Sequence, residues 1–165
     1  MKRTEEAEKY FIAGDNASDR RNFKKAIFYF KKASSLGHFG AMNNLAGYYS
    51  VGLGVRKDLN KAISLYRKVF NGGETWVSVN IALCYIQKGN SNRAEFWLKK
   101  CDLTQDGSAA LQLAKLYLEG WNQPRYQQAK KYLKLAVKHR SKKEIAPLEL
   151  AEAENLLKKL KSERK

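Results

Sequence analysis

The sequence is poor in residues that break helices, cross-link chains or span membranes. Only two prolines occur among 165 residues, Pro124 and Pro147, so long stretches are free to be helical. Cys84 and Cys101 are the only cysteines, which is too few for a disulfide framework and indicates reduced thiols. Nowhere do 18 apolar residues run together, so we expect no transmembrane span.

The first residues also lack an apolar run of signal-peptide length. We therefore expect no export signal and a cytoplasmic location. The formal net charge is +16, from 32 Lys+Arg against 16 Asp+Glu. This excess indicates either a well-solvated, lysine-rich exterior or contact with an acidic partner, nucleic acid or a membrane surface.

A sequence pattern recurs along the chain. Segment 24–37 aligns with segment 60–73 at a constant offset of 36 residues, and looser copies follow at 92–101 and 127–136. Each copy has an alanine at the same position: Ala26, Ala62, Ala94 and Ala129. The apolar residues of these segments are spaced three and four apart, which predicts helices with one buried face.

A second element precedes each of the later copies. Segments 41–50, 77–86 and 109–118 align with one another and share a tyrosine near the end, at Tyr49, Tyr85 and Tyr117. Small residues in these segments would let helices approach closely: Ala46, Ala82 and Ala114. Each repeat therefore holds two helical segments.

The loops between the helices contain start and stop signals. Gly52 is placed to end a helix in a left-handed conformation, and Asp58 to cap the next helix. We expect Ser91 to cap the helix after Gly89, and Pro124 to occupy a first helical turn.

Residues 41–73 resemble the Sel-1-like repeat family, a branch of the tetratricopeptide superfamily. The matching pattern is A-x3-L-A-x2-Y-x2-G-x-G-V-x2-D-x2-K-A-x3-Y-x-K, carried by Ala41, Leu45, Ala46, Tyr49, Gly52, Gly54, Val55, Asp58, Lys61, Ala62, Tyr66 and Lys68. Residues 74–106 have lost the G-x-G-V loop. Residues 107–140 keep only Gly120 of it, followed by WNQP. The start of the chain is similar to an ordinary tetratricopeptide unit, with Gly14 at the helix crossing.

The resemblance implies an all-α fold, a right-handed superhelix (α-solenoid) of about four helix pairs. We expect one domain, residues 1–165, with repeat units at about 4–37, 41–73, 74–106 and 107–140. The apolar stripe of the last residues predicts a capping helix at about 146–164, starting near Ala146. A capping box of Ser141 and Glu144 is the alternative, but it would place Pro147 inside the helix.

The sequence gives little sign of catalytic chemistry. The two histidines, His38 and His139, have no motif nearby, and we interpret both as satisfied surface histidines. Metal-ligand spacing such as C-x2-C is absent, so we interpret Cys84 and Cys101 as buried structural residues. A redox pair or a reactive thiol is the alternative. We expect no enzyme, no cofactor, no metal and no small-molecule substrate.

The distribution of charge favours a protein partner. Segments 41–51 and 75–87 contain no charged residue, whereas lysines and arginines crowd the second helix of each pair. In the family, first helices line the concave groove and second helices form the convex outside. We therefore expect a nearly neutral groove that holds a peptide or partner helix in an adaptor, scaffold or inhibitor-type module. Its predicted residues are Asn44, Tyr48, Trp76, Asn80, Leu83, Gln112 and Lys115.

The alternative is nucleic-acid or anionic-surface binding through the basic convex face. It is weakened because we expect most aromatic residues of the second helices, among them Phe28 and Tyr29, to lie in the core rather than to stack on bases. Recognition of a chaperone's C-terminal carboxylate is not expected either. Of the positions that make such contacts in some tetratricopeptide domains, only Asn44 agrees, and Asp15 stands at another.

Overall fold

The computed structural model describes residues 2–101, 103, 106–121, 123–138 and 145–162. All regular structure in this part of the chain is helical, which confirms the predicted all-α class. The α-helices are α1 (Lys2–Asp19), α2 (Phe23–Ser35), α3 (Phe39–Val51), α4 (Leu59–Asn71), α5 (Ser78–Gln87), α6 (Ser91–Leu98), α7 (Gly107–Glu119), α8 (Tyr126–Lys138) and α9 (Pro147–Ser162). A short 3-10 helix, Thr75–Val77, precedes α5.

The helices group into two compact units, Met1–Cys84 and Tyr85–Lys165. In the first unit α1 pairs with α2, α3 pairs with α4, and α2 packs against α3. In the second unit α7 pairs with α8, α6 packs against α7, and α9 packs mainly against α8. Helix pairing between chain neighbours is the arrangement that the repeat pattern predicts. The single domain of residues 1–165 stays a prediction.

The residues that repeat in the sequence are the residues that the fold buries. The four aligned alanines of the second helices are fully buried: Ala26, Ala62, Ala94 and Ala129. The alanines of the first helices are equally buried: Ala46, Ala82 and Ala114. Because alanine has no side chain beyond Cβ, neighbouring helices can pack closely at these positions. The repeat therefore encodes the core.

Helices α1 and α2 pack against each other at a glycine of α1. Gly14 faces the ring of Phe30, which is fully buried in the hairpin. This contact confirms the prediction that Gly14 marks the helix crossing, because a larger residue would not leave room for the ring.

Two loop signals in the first unit work as predicted. Gly52 ends α3 with φ 79°, in the left-handed region, and its N–H donates to the Tyr48 carbonyl. The Asp58 carboxylate accepts a hydrogen bond from the Lys61 backbone N–H at 2.9 Å, which caps α4. Both bonds satisfy backbone groups that a helix end leaves open.

Two predicted loop roles in the second unit were wrong. The cap of α6 is Asn90, whose side chain accepts from the Arg93 N–H at 3.0 Å, while Ser91 is the first helical residue and donates to the Gly120 carbonyl. Pro124 lies two residues before α8, outside its first turn. Asparagine and serine cap helices about equally well, so residue type alone does not decide which of the two neighbours becomes the cap. The backbone conformation that leads into the helix decides it.

One backbone hydrogen bond closes the hairpin in each repeat. The residue just before the second helix donates its N–H to a carbonyl near the end of the first helix. The pairs are Asn22 to Ala17 at 2.9 Å, Asp58 to Tyr49 at 2.9 Å, Asn90 to Tyr85 at 2.9 Å and Arg125 to Tyr117 at 2.7 Å. Because both partners are backbone groups, the bond survives the changes of loop sequence between repeats.

Helix α9 begins at Pro147, directly after Ala146, so the predicted start is confirmed. Proline suits this first position, where its missing N–H has no helical partner to lose. The predicted apolar stripe buries Ala153 and Leu160 and half-buries Leu150 and Leu157. The proposed alternative cap of Ser141 and Glu144, like His139, lies outside the described residues.

Candidate functional site

A cavity of about 310 Å³ lies in the first unit, where α1, α3, α4 and α5 meet. We call it the amide cavity. It is lined by Ser18, Asn43, Asn44, Gly47, Tyr48, Val51, Leu53, Tyr66 and Asn80. None of these side chains is charged. Helix α3 supplies most of them because its residues 43, 44, 47, 48 and 51 fall on one helical face.

The structure brings three predicted groove residues to this cavity: Asn44, Tyr48 and Asn80. The Asn44 amide donates to the Asp15 carboxylate at 3.1 Å, so this side chain bridges α3 and α1. Burial and the neighbouring Asp19 raise the pKa of the Asp15 carboxyl, and the bond from Asn44 opposes that shift. The amide therefore has a structural partner at one wall of the cavity.

Tyr48 shapes the cavity from within the core. It is 8% exposed, and its hydroxyl donates to the Ser18 hydroxyl at 2.7 Å. This bond joins α3 to the end of α1 and holds the phenol ring in the wall. Tyr48 therefore fixes the shape of the cavity rather than projecting into solvent.

Two amides of the cavity offer groups that the protein itself leaves open. The Asn43 carbonyl oxygen is buried and has no hydrogen-bond partner, although its amide nitrogen lies 3.5 Å from the Asn44 carbonyl oxygen. The half-buried Asn80 side chain has no hydrogen-bond partner within the described residues. Asn43 was not among the predicted residues, although its place beside Asn44 in a charge-free helix was a usable signal.

Two other predicted residues of the first unit lie outside the cavity lining. Trp76, in the 3-10 helix, is 51% exposed and donates its indole N–H to the Glu74 carboxylate at 2.7 Å. Leu83, in α5, is half-buried. The rim of the cavity has its own exposed apolar side chains, Val51 and Leu53, at 66% and 41% exposure.

The remaining predicted residues, Gln112 and Lys115, lie in the second unit. They line a cavity of about 390 Å³ with Ile86, Gly89, Ser91, Leu116, Glu119 and Gly120. The Lys115 ammonium pairs with the Glu152 carboxylate of α9 at 2.7 Å. Lys115 thus ties α7 to α9, a contact that sequence alone could not show across 37 residues.

A larger cavity of about 810 Å³ lies at the loop ends of the second unit, lined by residues 88–92, 120, 121 and 123–125. The Arg125 guanidinium stacks on the Trp121 ring, with its central carbon 3.7 Å from the ring centroid. In the sequence this loop stands out by its departure from the G-x-G-V pattern and by Pro124. No signal in one sequence pointed to the stacked pair.

The basic residues of the second helices are exposed, as expected, except for the half-buried Lys130. One aromatic prediction was wrong. Phe28 of α2 is 52% exposed, and Tyr29 is half-buried. Helix α2 fills its buried face with Ala26, Ile27, Phe30 and Ala33. No buried position remains for the Phe28 ring, so it lies on the surface.

The residues considered for chemistry occupy structural positions. His38 caps α3: its Nδ1 accepts from the Ala41 N–H at 3.1 Å, and its Nε2 lies 2.9 Å from the Glu8 carboxylate.

Cys84 and Cys101 are both buried thiols, and burial raises the pKa of Cys84 to about 11. In the part of the chain that the structure describes, no group of three His, Cys, Asp or Glu side chains could hold a metal ion.

None of the described helices is long and apolar enough to cross a membrane.

Family models match most of the chain. Residues 13–38, 40–73 and 107–140 match the Sel1 repeat, and residues 77–103 match a tetratricopeptide repeat. The unit that lost the G-x-G-V loop is thus the one that matches the more general model. No curated protein matches the sequence at a significant level.

Two solved structures are similar to the chain, and the first of them shares its fold. A Sel1 repeat protein from Oxalobacter formigenes is 24% identical with a TM-score of 0.66, over 80% of this chain and 58% of that one. The protective antigen c5321 of uropathogenic Escherichia coli, which displays an SLR fold, is 20% identical with a TM-score of 0.47, over 93% of this chain and 45% of that one. The chain thus spans 58% and 45% of the length of these two proteins.

Proposed function

The chain belongs to the Sel1 repeat family, and from this premise we propose that it is a protein-binding module of the adaptor, scaffold or inhibitor type. Helical repeats stack into extended surfaces that suit protein partners. Its binding site in the first unit is the amide cavity, which takes an extended peptide or a partner helix. Modules of this class typically act without catalysis, and we propose the same here.

The observation that supports this proposal is a cavity without charge in a protein of net charge +16. A peptide backbone is neutral and offers N–H donors and carbonyl acceptors. Amide side chains match both, because each has two donor hydrogens and one acceptor oxygen. The half-buried Asn80 would pair with a peptide group of the ligand. The buried Asn43 oxygen, which has no partner, would accept from a backbone N–H once its amide turns toward the cavity.

The rim of the cavity sets the side-chain preference of the ligand. Val51 and Leu53 expose apolar surface there, and Gly47 leaves space between Tyr48 and Tyr66. An apolar side chain of the ligand would fill that space, which gains free energy by leaving water. A free C-terminal carboxylate is disfavoured, because Asp15 behind Asn44 would repel it.

The second unit contributes its own binding surface to the proposal, around Gln112 and Lys115. Trp76 and Leu83 stay in the proposed site as flanking contacts, since exposed aromatic residues often anchor partners. We also propose a cytoplasmic location, because Cys84 and Cys101 are buried as free thiols, as in a reducing compartment.

The proposal is tested by panning a displayed library of random peptides on the intact protein. The affinity of an enriched peptide is then measured by isothermal titration calorimetry for the wild type, Asn80→Ala and Val51→Glu. We expect each cavity variant to bind at least about tenfold more weakly, because Asn80→Ala removes a hydrogen-bonding amide and Val51→Glu puts a charge on the apolar rim.

Phe28→Ala is the matched control, because it truncates an exposed side chain of the same unit outside the cavity lining. It should bind the peptide as tightly as the wild type does. The proposal is wrong if no peptide is enriched. It is also wrong if the cavity variants keep full affinity while their thermal unfolding curves match that of the wild type.

A further inference from the structure

Helices α1 and α2 present a cluster of aromatic rings and lysines at the surface of the first unit. We call it the outer patch and define it as Tyr10, Lys25, Phe28, Tyr29 and Lys32. The Lys32 ammonium lies 4.7 Å from the Phe28 ring centroid and 4.9 Å from that of Tyr10. Tyr29 stacks on Tyr10 with centroids 6.4 Å apart and meets Phe28 edge-on at 5.4 Å.

The charge that α2 brings to the outer patch is all positive. Residues 20–57 contain no Asp or Glu, whereas eight lysines and arginines occur there: Arg20, Arg21, Lys24, Lys25, Lys31, Lys32, Arg56 and Lys57. The acids of α1 are Glu5, Glu6 and Glu8 before Tyr10, and Asp15 and Asp19 after it. All except Asp15 are exposed, so solvent screens them, and the half-buried Asp15 carboxylate accepts from the Asn44 amide.

A cavity of about 460 Å³ continues the outer patch. Tyr29 and Lys25 belong to both, and the other lining residues are Ala13, Asn16, Ala17, Arg20 and Asn22. The cavity thus adds one more cation and two amide side chains to the surface. Amides can hydrogen-bond to the edges of bases, and the guanidinium of arginine can pair with a phosphate.

We propose that the outer patch and this cavity together bind single-stranded nucleic acid. Sites for single strands combine aromatic rings, on which bases stack, with cations that follow the phosphates. Here Phe28 and Tyr29 are the stacking rings. Lys25, Lys32 and Arg20 are the phosphate contacts. Lys32 would move from the ring face to a phosphate when a base takes its place over Phe28.

The features of the patch favour a nucleic acid over a lipid surface. Interfacial membrane binding needs a broad apolar face, and among the described residues of α1 and α2 only Ile12 and Phe28 are large hydrophobic side chains that are exposed. The amides in the cavity offer both donors and an acceptor, which suits the edges of bases. The patch lies outside the amide cavity, so the proposal is independent of peptide binding.

The test measures binding of a fluorescein-labelled oligouridylate of about 12 nucleotides, a length within the usual site sizes, by fluorescence anisotropy at several salt concentrations. We expect the logarithm of the affinity to fall linearly with the logarithm of salt. Phe28→Ala should weaken binding about fivefold or more at unchanged salt slope, because it removes stacking but no charge. Lys32→Gln should make the slope shallower by about 0.7, the value for one phosphate contact on a single strand.

Phe96→Ala and Lys100→Gln are the matched controls. Phe96 is 54% exposed and has the Lys100 ammonium 5.1 Å from its ring centroid, but it follows the acidic Glu95 in the second unit. Both controls should bind the oligonucleotide as the wild type does. All four variants replace exposed residues, and circular dichroism melting checks that they fold.

Three results would overturn the proposal. The first is no binding at low salt. The second is an equal loss of oligonucleotide affinity in Phe28→Ala and Phe96→Ala, which would show that any exposed phenylalanine contributes to binding. The third is tighter binding to an RNA duplex of the same length, to an acidic peptide or to phosphatidylserine vesicles, which would indicate attraction by charge alone.

Discussion

A Cβ atom added at Gly14 would lie 2.5 Å from Cε1 of the Phe30 ring, closer than two carbon atoms can approach. The ring is fully buried between α1 and α2 and cannot swing out of the way. Helix packing in this hairpin therefore depends on the absence of a side chain at one position of α1. Gly47 of α3, in the same unit, has no such close neighbour.

We expect Gly14→Ala to destabilise the protein by about 1–3 kcal/mol, the usual cost of forcing an extra carbon into a packed core. Gly47→Ala on α3 is the control, because its nearest neighbour, the Tyr66 hydroxyl, would be 3.7 Å away. There the alanine should be neutral or stabilise by up to about 1 kcal/mol through helix propensity. Urea unfolding measures both. Equal effects at the two sites would contradict the crossing geometry.

The repeated alanines make a second prediction. Ala62 is fully buried on α4, so Ala62→Arg should cost about 3–5 kcal/mol or prevent folding, because a guanidinium would be buried without a partner. Ser64→Arg, two residues further along the exposed side of the same helix, should change the free energy of unfolding by less than about 0.5 kcal/mol. Circular dichroism melting of the two variants measures the difference in stability. A stable Ala62→Arg would mean that α4 packs differently.

The charge of Asp15 makes stability depend on pH. Burial and the neighbouring Asp19 raise the pKa of this carboxyl in the folded state, so its ionised form destabilises the fold. Asp15→Asn removes the charge and keeps an acceptor for the Asn44 amide. The variant should therefore have the higher urea midpoint at pH 7.

That advantage should shrink as the pH falls through the raised pKa of the folded protein. It should vanish below the unfolded value of about 3.9, where Asp15 is protonated in both states. Urea midpoints of both proteins at several pH values measure the difference. A lower midpoint for Asp15→Asn at pH 7 would mean that the carboxylate stabilises the hairpin.

The buried thiols should be inert in the native protein. With its pKa raised to about 11, Cys84 is about one part in a thousand thiolate at pH 8, and the thiolate is the reactive form. Cys101 is buried as well. A chromogenic disulfide reagent should therefore label both thiols quickly in guanidinium chloride and neither within minutes in buffer. Fast labelling of the native protein would revive the interpretation of a reactive thiol.

The core could be predicted from the sequence because it repeats. Ala62 and its three counterparts recur at matching positions, and a buried position must satisfy the same packing in every repeat. Gly52 and Asp58 were predictable for a different reason, since their conformations depend on local backbone geometry alone.

Contacts between residues far apart in sequence could not be predicted. Asn44 is engaged by Asp15, which lies 29 residues earlier, and Lys115 by Glu152, which lies 37 residues later. Phe28 was misplaced because hydrophobic character alone does not say which of several aromatic residues a helix face can bury. The amide cavity itself was only partly predicted, because Asn43 becomes significant through its depth and not through its spacing.

The hydrogen bond that closes each hairpin has a consequence for engineering. It spans five residues from Tyr85 to Asn90, eight from Tyr117 to Arg125 and nine from Tyr49 to Asp58, so one helix pair accepts connectors of different length. A connector can therefore be exchanged or extended as a cassette while the helices keep their register. Epitope tags, fluorophore sites or recognition loops could be grafted there with little effect on the rest of the protein.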